Sequence, residues 1–503
     1  MLNCYQRRKT GTFGVISSHA ETFTTHRLRE TLLTQERMQV GGEHSVLQPT
    51  TAMRSITRYL AHPCFVIVLV LAFSQPGRAQ TASIDIPVVE LPFNVQHGIR
   101  APGMQQSLAI TTDFYEFTHS ALGRIAPRHR KLTKAGIALF DLFTASVPFG
   151  DTWLHEEWHR AILGQNNIDS KDDVWNLKNI VASSISVSHV TDQNLIRLKK
   201  ENPRDFVRTK AAGIEGEAEL MTRLEKNQFF NRTKGWHTGL YWLIALNDAL
   251  YVGLVTSRKD SAEVDSFTVD MNAKEKTIAS RDISGHDFTA WVYDLFRPTE
   301  AFESRGIHPS GVGIDRYIKV ADLTAEEKRY IRREGRRMLF NFVDPNLIGI
   351  SEFSFRNPFN GDPARANFWM RHTLTSFGDA TQAHFVYKQA NLGVHVTALR
   401  YSNHERGFPG IQAEIVDAPI HVGTRTFALS PRFGAWLQPQ GQTFMTAKSQ
   451  SGGLIGARLE TRSANKFNVY VDGEAKTAGW VAGRPSLNAG GTFRIGLTYR
   501  QSR

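Results

Sequence analysis

Two different spacings of apolar residues divide the chain. Between about residues 107 and 257 apolar positions recur at helical spacing, in stretches of helix length. After about residue 346 this period gives way to alternation of apolar and polar residues, which is typical of strands with two different faces. The first pattern predicts helices over 135–149, 151–163, 209–226 and 236–257.

The alternation in the C-terminal part is regular enough to predict individual strands. Apolar residues occupy every second position around 392–396, 455–459, 467–471 and 493–499. Roughly eight to ten such segments of about ten residues each are separated by Gly, Asn, Asp and Pro. An even number of amphipathic strands is the pattern of a transmembrane β-barrel. A soluble secreted β-domain is the alternative, although its strands are usually shorter.

Residues 53–79 have the three parts of a secretory signal peptide. Arg54 and Arg58 precede an apolar run over 64–73, and Gly77-Arg78-Ala79 provides the small residues of a cleavage site. We therefore interpret Met53 as the true start and residues 1–52 as an upstream extension. The sequence predicts export across the inner membrane of a Gram-negative-type bacterium, to its outer membrane or periplasm.

Export restricts the available chemistry. Both cysteines, Cys4 and Cys64, precede the predicted cleavage site. The mature chain is therefore expected to contain no thiol nucleophile, Cys-ligated metal or disulfide. Five of the twelve net positive charges also fall within residues 1–79, and the remaining excess does not indicate a nucleic-acid partner.

The motif with the most chemical content is His155-Glu156-Glu157-Trp158-His159, an H-E-x-x-H sequence. On a helix, His155 and His159 lie one turn apart on one face, where two imidazoles can bind zinc and Glu156 can act as general base. The alternative is a solvated helix face that happens to carry two histidines and a glutamate.

A catalytic zinc site needs a third protein ligand and an open fourth position. Without cysteine, that ligand must be His, Asp or Glu. Glu215 and Glu219 lie four residues apart in a predicted helix and share a face, whereas Glu217 points elsewhere. One of the pair can bind the metal while the other hydrogen-bonds a metal-bound histidine. An acidic surface helix is the alternative, and His237 is another candidate ligand.

Three motifs in this order resemble the HtpX-like gluzincin metallopeptidases, which include the CAAX prenyl endopeptidases and bacterial periplasmic relatives. The motifs are His155–His159, Glu215-Gly216-Glu217-Ala218-Glu219, and His308-Pro309 followed by Arg316. The matched positions are few and lie within residues 150–320. The chain departs from the family's usual residues at Glu157, Trp158 and Arg160, and Glu219 stands where the family usually has Asp.

This resemblance implies a set of roles. It assigns the Zn²⁺ ligands to His155, His159 and Glu215, the general base to Glu156, and support of a ligand to Glu219. It also implies that His308 and Arg316 lie near the substrate oxyanion.

Two further segments carry chemistry-bearing residues. Ser284-Gly285-His286-Asp287 has nucleophile-like residue types but no G-x-S-x-G elbow, so we predict a turn there. Thr324-Ala325-Glu326-Glu327 is a capping box that opens a helix to about residue 340. The basic face of that helix is interpreted either as solvated surface or as a contact for anionic lipid headgroups; it comprises Lys328, Arg329, Arg332, Arg333, Arg336 and Arg337.

The sequence thus predicts an α+β multidomain protein, with a mainly helical zincin-like domain over 80–345 and an antiparallel transmembrane β-barrel over 346–503. The expected function is that of an exported zinc endopeptidase acting on polypeptides, for which the resemblance suggests misfolded envelope proteins. Outer-membrane lipid is the other expected partner. The alternative is a non-catalytic outer-membrane protein with a helical binding or plug module and a degenerate metal site.

Overall fold

Helices make up most of the described chain up to residue 337. The computed structural model describes residues 83–93, 101–125, 130–175, 185–231, 237–255, 260–462 and 466–500, all within one unit, Gln75–Arg503. The predicted extension and signal peptide lie outside these residues. The helices are α1 (Met104–Ile125), α2 (Arg130–Thr144), α3 (Asp151–Gln165), α4 (Asp192–Glu201), α5 (Pro203–Asn231), α6 (Thr238–Leu254), α7 (Asp260–Lys274), α8 (Asp287–Phe296) and α9 (Ala325–Arg337).

The helical periodicity located four of these helices correctly, since the predicted segments overlap α2, α3, α5 and α6. The capping box is also confirmed, because Thr324 accepts from the Glu327 amide and Glu327 accepts from the Thr324 amide at 2.7 Å. Helices α7 and α8 lie outside the segments in which the sequence predicted helices. In the described part of the chain, no helix has the length and apolar character needed to cross a membrane.

The C-terminal part forms a large antiparallel sheet, as the alternation predicts, and one strand from the N-terminal part joins it. Its strands are β1 (Ser83–Leu91), β4 (Phe353–Arg356), β5 (Pro363–Thr375), β6 (Gly378–Gln389), β7 (Leu392–Ser402), β8 (Gly407–Ile415), β9 (Ala418–Val422), β10 (Arg425–Pro439), β11 (Ser449–Arg462), β12 (Phe467–Lys476) and β13 (Gly490–Arg500). Two short strands, β2 (Lys171–Asp172) and β3 (Val187–Ser188), pair separately.

The strand order is β1-β13-β12-β11-β10-β8-β7-β6-β5-β4, with β9 paired to the first part of β10. The protein is therefore α+β, but the prediction of a closed β-barrel is wrong. Among the described residues, the edge strands β1 and β4 do not pair with each other. The chain builds its helices between these two strands, and helical segments lie against both edges of the sheet.

The two faces of the sheet carry opposite chemistry. In β12 the exposed side chains are Phe467, Val469 and Val471, whereas the intervening Asn468, Tyr470 and Asp472 are buried. The same inversion holds in β13, where Phe493, Ile495 and Leu497 are exposed while Arg494 and Thr498 are buried. This sheet therefore has an apolar outer face and a polar inner face. A soluble sheet normally has the opposite arrangement, with its apolar face buried.

The sheet curls around the C-terminal half of α5. Arg223 on α5 pairs with Asp85 of β1 at 3.0 Å, and Lys226 pairs with Glu414 of β8 at 2.6 Å. On the far side, Glu225 pairs with Arg371 of β5. A cavity of about 320 Å³ with a largely polar lining, rich in charged side chains, remains between the helix and the polar face of the sheet.

The N-terminal half of α5 packs instead in the helical part. At about 1.5 Å per residue, this 29-residue helix is roughly 43 Å long, enough to serve both regions. Its Ala212 and Leu220 join a buried apolar cluster with Leu108 of α1, Leu154 of α3 and Ile244 of α6. The predicted division near residue 345 coincides with the change from helices to strands. Two elements that precede it in the chain nevertheless belong to the sheet region: β1 pairs with β13, and the C-terminal half of α5 lies against the sheet.

Replacing Arg371 with Met should lower the free energy of unfolding by roughly 3–5 kcal/mol, because Glu225 and Asp344 would be left buried without their shared cation. Denaturant unfolding of the purified protein, followed by tryptophan fluorescence, measures this change. The matched control is Arg329→Met at an exposed site, expected to change stability by no more than about 0.5 kcal/mol. Equal stabilities of the two variants would contradict the structural role of Arg371.

Candidate metal centre

A close crossing of α3 and α5 positions the H-E-x-x-H motif. A Cβ atom at Gly213 would lie 2.2 Å from Nε2 of His155, and one at Gly216 would lie 2.9 Å from the Trp158 ring. Real Cβ atoms do not approach other atoms this closely, so glycine is required where the His155 ring crosses α5. The two glycines therefore allow α5 to lie directly behind the motif.

The motif histidines meet Asp287, the first residue of α8. Nε2 of His155 and Nε2 of His159 each lie 3.5 Å from Oδ2 of Asp287. Zinc held tetrahedrally at 2.0–2.2 Å would separate its ligand atoms by about 3.4 Å. The three residues are 6%, 2% and 7% exposed, so the cluster is buried. Its atoms and spacing fit a tetrahedral metal ion with one position left for water.

Both imidazoles are oriented from behind by α5. Nδ1 of His155 hydrogen-bonds Oε1 of Glu217 at 2.9 Å, and Nδ1 of His159 hydrogen-bonds the carbonyl of Thr209. These acceptors favour a proton on Nδ1 of each ring, so Nε2 would be the ring atom that binds a metal ion between the histidines and Asp287. The Glu217 carboxylate also accepts from Asn247 of α6 at 3.3 Å.

Asp287 is also held in place. Ser284 donates to Oδ1 of Asp287 at 2.8 Å, and the Tyr251 hydroxyl donates to Oδ2 at 3.1 Å. Burial alone would raise the pKa of Asp287, but the charge of His159 and the hydrogen bond from His155 hold it well below its usual range. Asp287 is thus an ionised, oriented carboxylate beside two imidazoles.

Glu156 is buried next to the cluster. Burial raises the pKa of Glu156 well above its usual range, against the opposing charge of His155, and the charge of Asp287 raises it further. A carboxyl group with a raised pKa beside a metal cluster is suited to exchange protons with water.

The structure does not bring Glu215 to the histidines. Its carboxylate is buried on the opposite side of α5, where it pairs with Arg208 at 2.7 Å and accepts from the Trp480 indole at 3.3 Å and the Gly483 amide at 3.0 Å. It therefore joins α5 to the loop between β12 and β13. Glu219, on the same face, lines the cavity inside the sheet.

His308 and Arg316 are also placed away from the cluster. Nδ1 of His308 contacts Ser310 at 2.9 Å within its own loop. Arg316 is fully buried, pairs with Asp192 at 2.8 Å and donates to the Val190 carbonyl at 2.6 Å. Because its remaining donors bind the carbonyls of residues 281 and 282, Arg316 fixes the loop before α8 rather than an oxyanion.

Residues 284–287, predicted only as a turn, contain most of the candidate-site residues that were not predicted from the sequence. Asp287 completes the cluster, and Ser284 orients it. His286 packs against Tyr251 with ring centroids 4.6 Å apart and the rings tilted by 52°, and among the described residues neither of its ring nitrogens has a hydrogen-bond partner. Burial lowers the pKa of His286 to about 4, so it is a neutral imidazole at pH 7.

The departures from the gluzincin pattern have structural reasons. Glu157 is buried and pairs with Arg160, which also binds Asp172 of β2 at 2.9 Å. Trp158 packs over Gly216, where a larger α5 residue would clash. Glu157 and Arg160 thus fasten α3 to β2 while Trp158 packs α3 against α5, and none of the three contributes an atom to the candidate metal cluster. His237 lies elsewhere, in a buried contact of 2.7 Å with His119.

Glu334, His372 and Asp379 form a second group of ligand-type side chains. Here Arg337 lies 2.7 Å from Asp379 and Arg333 lies 2.6 Å from Glu334. Two guanidinium groups therefore already balance the two carboxylates, and His372 donates into the same network at 3.0 Å. This group is an ion-pair network between α9 and the sheet.

No protein-family model, curated protein or solved structure matches this chain. The resemblance to gluzincin peptidases therefore rests on the motif residues alone. The geometry of the cluster, His155 and His159 with Asp287 in place of Glu215, is independent of that resemblance.

Replacing Glu217 with Gln removes a partner that orients His155 and should lower the affinity for zinc by roughly 10–100-fold. Replacing Asp287 with Ala removes a ligand and should lower it further. Competition with a fluorescent chelator measures both affinities. Glu219→Gln is the matched control on the same helix and should bind zinc like the parent protein. Parental affinity in Asp287→Ala, or a loss confined to Glu219→Gln, would contradict this ligand set.

Proposed function

We propose that the protein is an exported, zinc-dependent endopeptidase with its reaction centre at His155, His159 and Asp287. The observation that carries this proposal is the buried cluster in which both Nε2 atoms lie 3.5 Å from Oδ2 of Asp287, with both histidines oriented through Nδ1. Zinc is the metal proposed because two imidazoles, one carboxylate and an open position form the usual donor set of its catalytic sites.

The roles of the chain's own residues follow from their positions. Bound zinc would polarise the scissile carbonyl and lower the pKa of water at the site. Glu156, next to His155, would accept the proton of the attacking water and return it to the leaving amine. Glu217 and the Thr209 carbonyl would keep the two imidazoles in position during this transfer.

Stabilisation of the oxyanion is assigned to His286 instead of His308 and Arg316. The neutral His286 ring packs against Tyr251, whose one hydroxyl proton is donated to Asp287 at 3.1 Å. His286 can donate a hydrogen bond beside the metal cluster, which is what a tetrahedral intermediate of peptide hydrolysis requires, and Tyr251 holds the ring in place. Arg316 has its donors occupied elsewhere.

The outer membrane is the proposed location. The outward side chains of the sheet are apolar and exposed, as with Phe433 at 57% and Ile455 at 70%, while the inward ones are polar. Strands β5, β7, β10 and β13 have 11–15 residues, and about 9–11 suffice to cross a membrane when tilted. Lipid is the medium that would cover such an apolar surface. Unassembled envelope polypeptides are the proposed substrates.

The second candidate function is that of a non-catalytic outer-membrane protein. It is favoured by the C-terminal half of α5, which fills the interior of the sheet as a plug through the pairs of Arg223, Glu225 and Lys226. In that case the metal cluster would only stabilise the helical part.

Glu156→Gln should abolish cleavage of an unfolded test protein such as casein while retaining zinc, because only the proton acceptor is removed. Hydrolysis rate and zinc content are measured on the same purified sample, with chelator-treated parent protein as the reference for zero activity. Parental activity in Glu156→Gln would refute the peptidase, whereas an inactive parent that binds zinc would favour the second candidate.

His286→Ala should lower kcat by about 10²–10³-fold with a smaller effect on KM, since a hydrogen bond to the oxyanion acts mainly in the transition state. The matched control is His308→Ala, where kcat should stay near the parental value. Steady-state kinetics with a fluorogenic peptide distinguishes them. A large decrease in His308→Ala with a small one in His286→Ala would restore the assignment made from the sequence.

A further inference from the structure

An open sheet in a membrane raises a physical difficulty that the helices of this protein resolve. Unpaired backbone groups at a sheet edge are costly in lipid, and only helices and closed walls of strands satisfy them. The sheet has two such edges, at β1 and at β5 beyond the end of β4. The following inference rests on the proposed location of the sheet in the outer membrane.

Helix α1 covers the edge at β1. The Asp85 amide donates to both carboxylate oxygens of Asp113 at 3.1 and 2.9 Å. The Pro87 carbonyl accepts from the Gln106 side chain at 3.4 Å. Side chains of α1 therefore occupy hydrogen-bonding positions that a neighbouring strand would fill in a closed barrel.

Segment 338–350 covers the opposite edge. The Met370 amide of β5 donates to the Val343 carbonyl at 3.0 Å, and the His372 amide donates to the Asn341 side chain at 2.7 Å. This segment directly follows α9 and runs beside β5 until β4 begins. Both open edges are thus hydrogen-bonded to helical parts of the chain.

Helices α2 and α6 connect α1, which covers one edge, to segment 338–350, which covers the other. We call α2, α6 and segment 338–350 the helical panel. Helix α2 packs on α1 and on α6, and a Cβ at Gly239 of α6 would come within 3.1 Å of Ala138 of α2. Trp242 of α6 donates to the Leu347 carbonyl at 2.8 Å. The panel therefore runs without a break from α1 to β5.

The outward side of the panel is apolar. Exposed large side chains are Leu139, Leu142 and Phe143 of α2, Trp242, Leu246 and Leu250 of α6, and Leu339, Phe340, Val343, Ile348 and Ile350 of the third segment. Every exposed residue over 135–143 and over 338–350 is apolar, and the exposed Lys131 and Lys134 lie in the first turns of α2. On α6 the one exposed polar residue, Asn247, donates to Glu217. This surface is continuous with the apolar outer face of the sheet.

Positive charge borders the panel at one end. Helix α9 leads directly into segment 338–350, and its Arg329 and Arg336 are exposed. Basic side chains next to an apolar band fit the phosphate-bearing headgroups that border the hydrocarbon of a membrane. The charge pattern thus matches lipid better than the apolar surface of another protein.

We propose that the helical panel closes the wall left open by the sheet and faces the hydrocarbon of the outer membrane, with phosphate-bearing lipid headgroups at α9. The wall is then a mixed one, made of strands β4–β13 and β1 with α1, α2, α6 and segment 338–350 between the edges. Helix α6 carries panel side chains and also Asn247 and Tyr251, which hydrogen-bond Glu217 and Asp287. The candidate metal centre therefore lies next to this lipid contact.

Lipid accessibility of single cysteines tests the proposal. The full chain, with Cys4 and Cys64 replaced by Ser, carries one cysteine labelled with an environment-sensitive fluorophore and is reconstituted into phosphatidylcholine vesicles with or without brominated acyl chains. Panel positions are Leu139→Cys, Leu246→Cys and Phe340→Cys. Sheet positions are Ile455→Cys and Phe493→Cys, and Glu303→Cys, on an exposed loop of the helical part, is the aqueous control.

We expect brominated lipid to quench the panel labels as strongly as the sheet labels and to leave the Glu303→Cys label unchanged. Quenching at the sheet without quenching at the panel would overturn the mixed wall while leaving the membrane location intact. A cross-link between two Leu246→Cys chains at an unquenched panel would identify a second copy as the occupant. Absence of quenching at every position would overturn both the panel and the proposed membrane location.

Discussion

The close approach of α3 and α5 is the constraint on which the rest of the structure depends. Gly213 and Gly216 remove the side chains that would hold the helices apart, so the His155 ring and Trp158 lie directly on α5. The Thr209 carbonyl and Glu217 then reach Nδ1 of the two histidines. Imidazoles fixed in this way hold Nε2 of both rings 3.5 Å from Oδ2 of Asp287.

Helix α5 transmits that constraint to the sheet. Its N-terminal half forms the back of the metal centre, and its C-terminal half is anchored inside the sheet by Arg223, Glu225 and Lys226. Glu215, between the two halves, holds the loop between β12 and β13 through Arg208, Trp480 and Gly483. Since the Glu225–Arg371 and Glu215–Arg208 pairs are buried, removing one partner of either leaves an uncompensated charge. The metal centre and the sheet are therefore parts of one framework.

Residue spacing was sufficient to predict several of the helices and the alternating strands, although not α7 or α8. The helices over the H-E-x-x-H motif and the acidic segment, the capping box at Thr324 and the strands around 455–499 all follow from residue spacing. The closed barrel did not follow, because the alternation of β5–β13 is the same whether or not the edges meet. What prevents closure is the helical chain inserted between β1 and β4, which is visible only in three dimensions.

The candidate site was predictable in part for a related reason. The spacing correctly separated the face of Glu215 and Glu219 from that of Glu217, but it could not tell which face meets α3. The glycines at 213 and 216 were the available signal, because glycine on a helix face marks a close approach. Asp287 carried no such signal, since its position depends on contacts of α8 with helices distant in sequence.

X-ray absorption at the zinc edge of the loaded, full-length protein tests the central claim most directly, because it reports the ligand atoms themselves. The geometry predicts two imidazoles and oxygen ligands at about 2.0–2.1 Å, with one imidazole lost in His155→Ala and the oxygen shell altered in Asp287→Ala. A spectrum without imidazole scattering, or one unchanged in both variants, would contradict a metal centre at His155, His159 and Asp287.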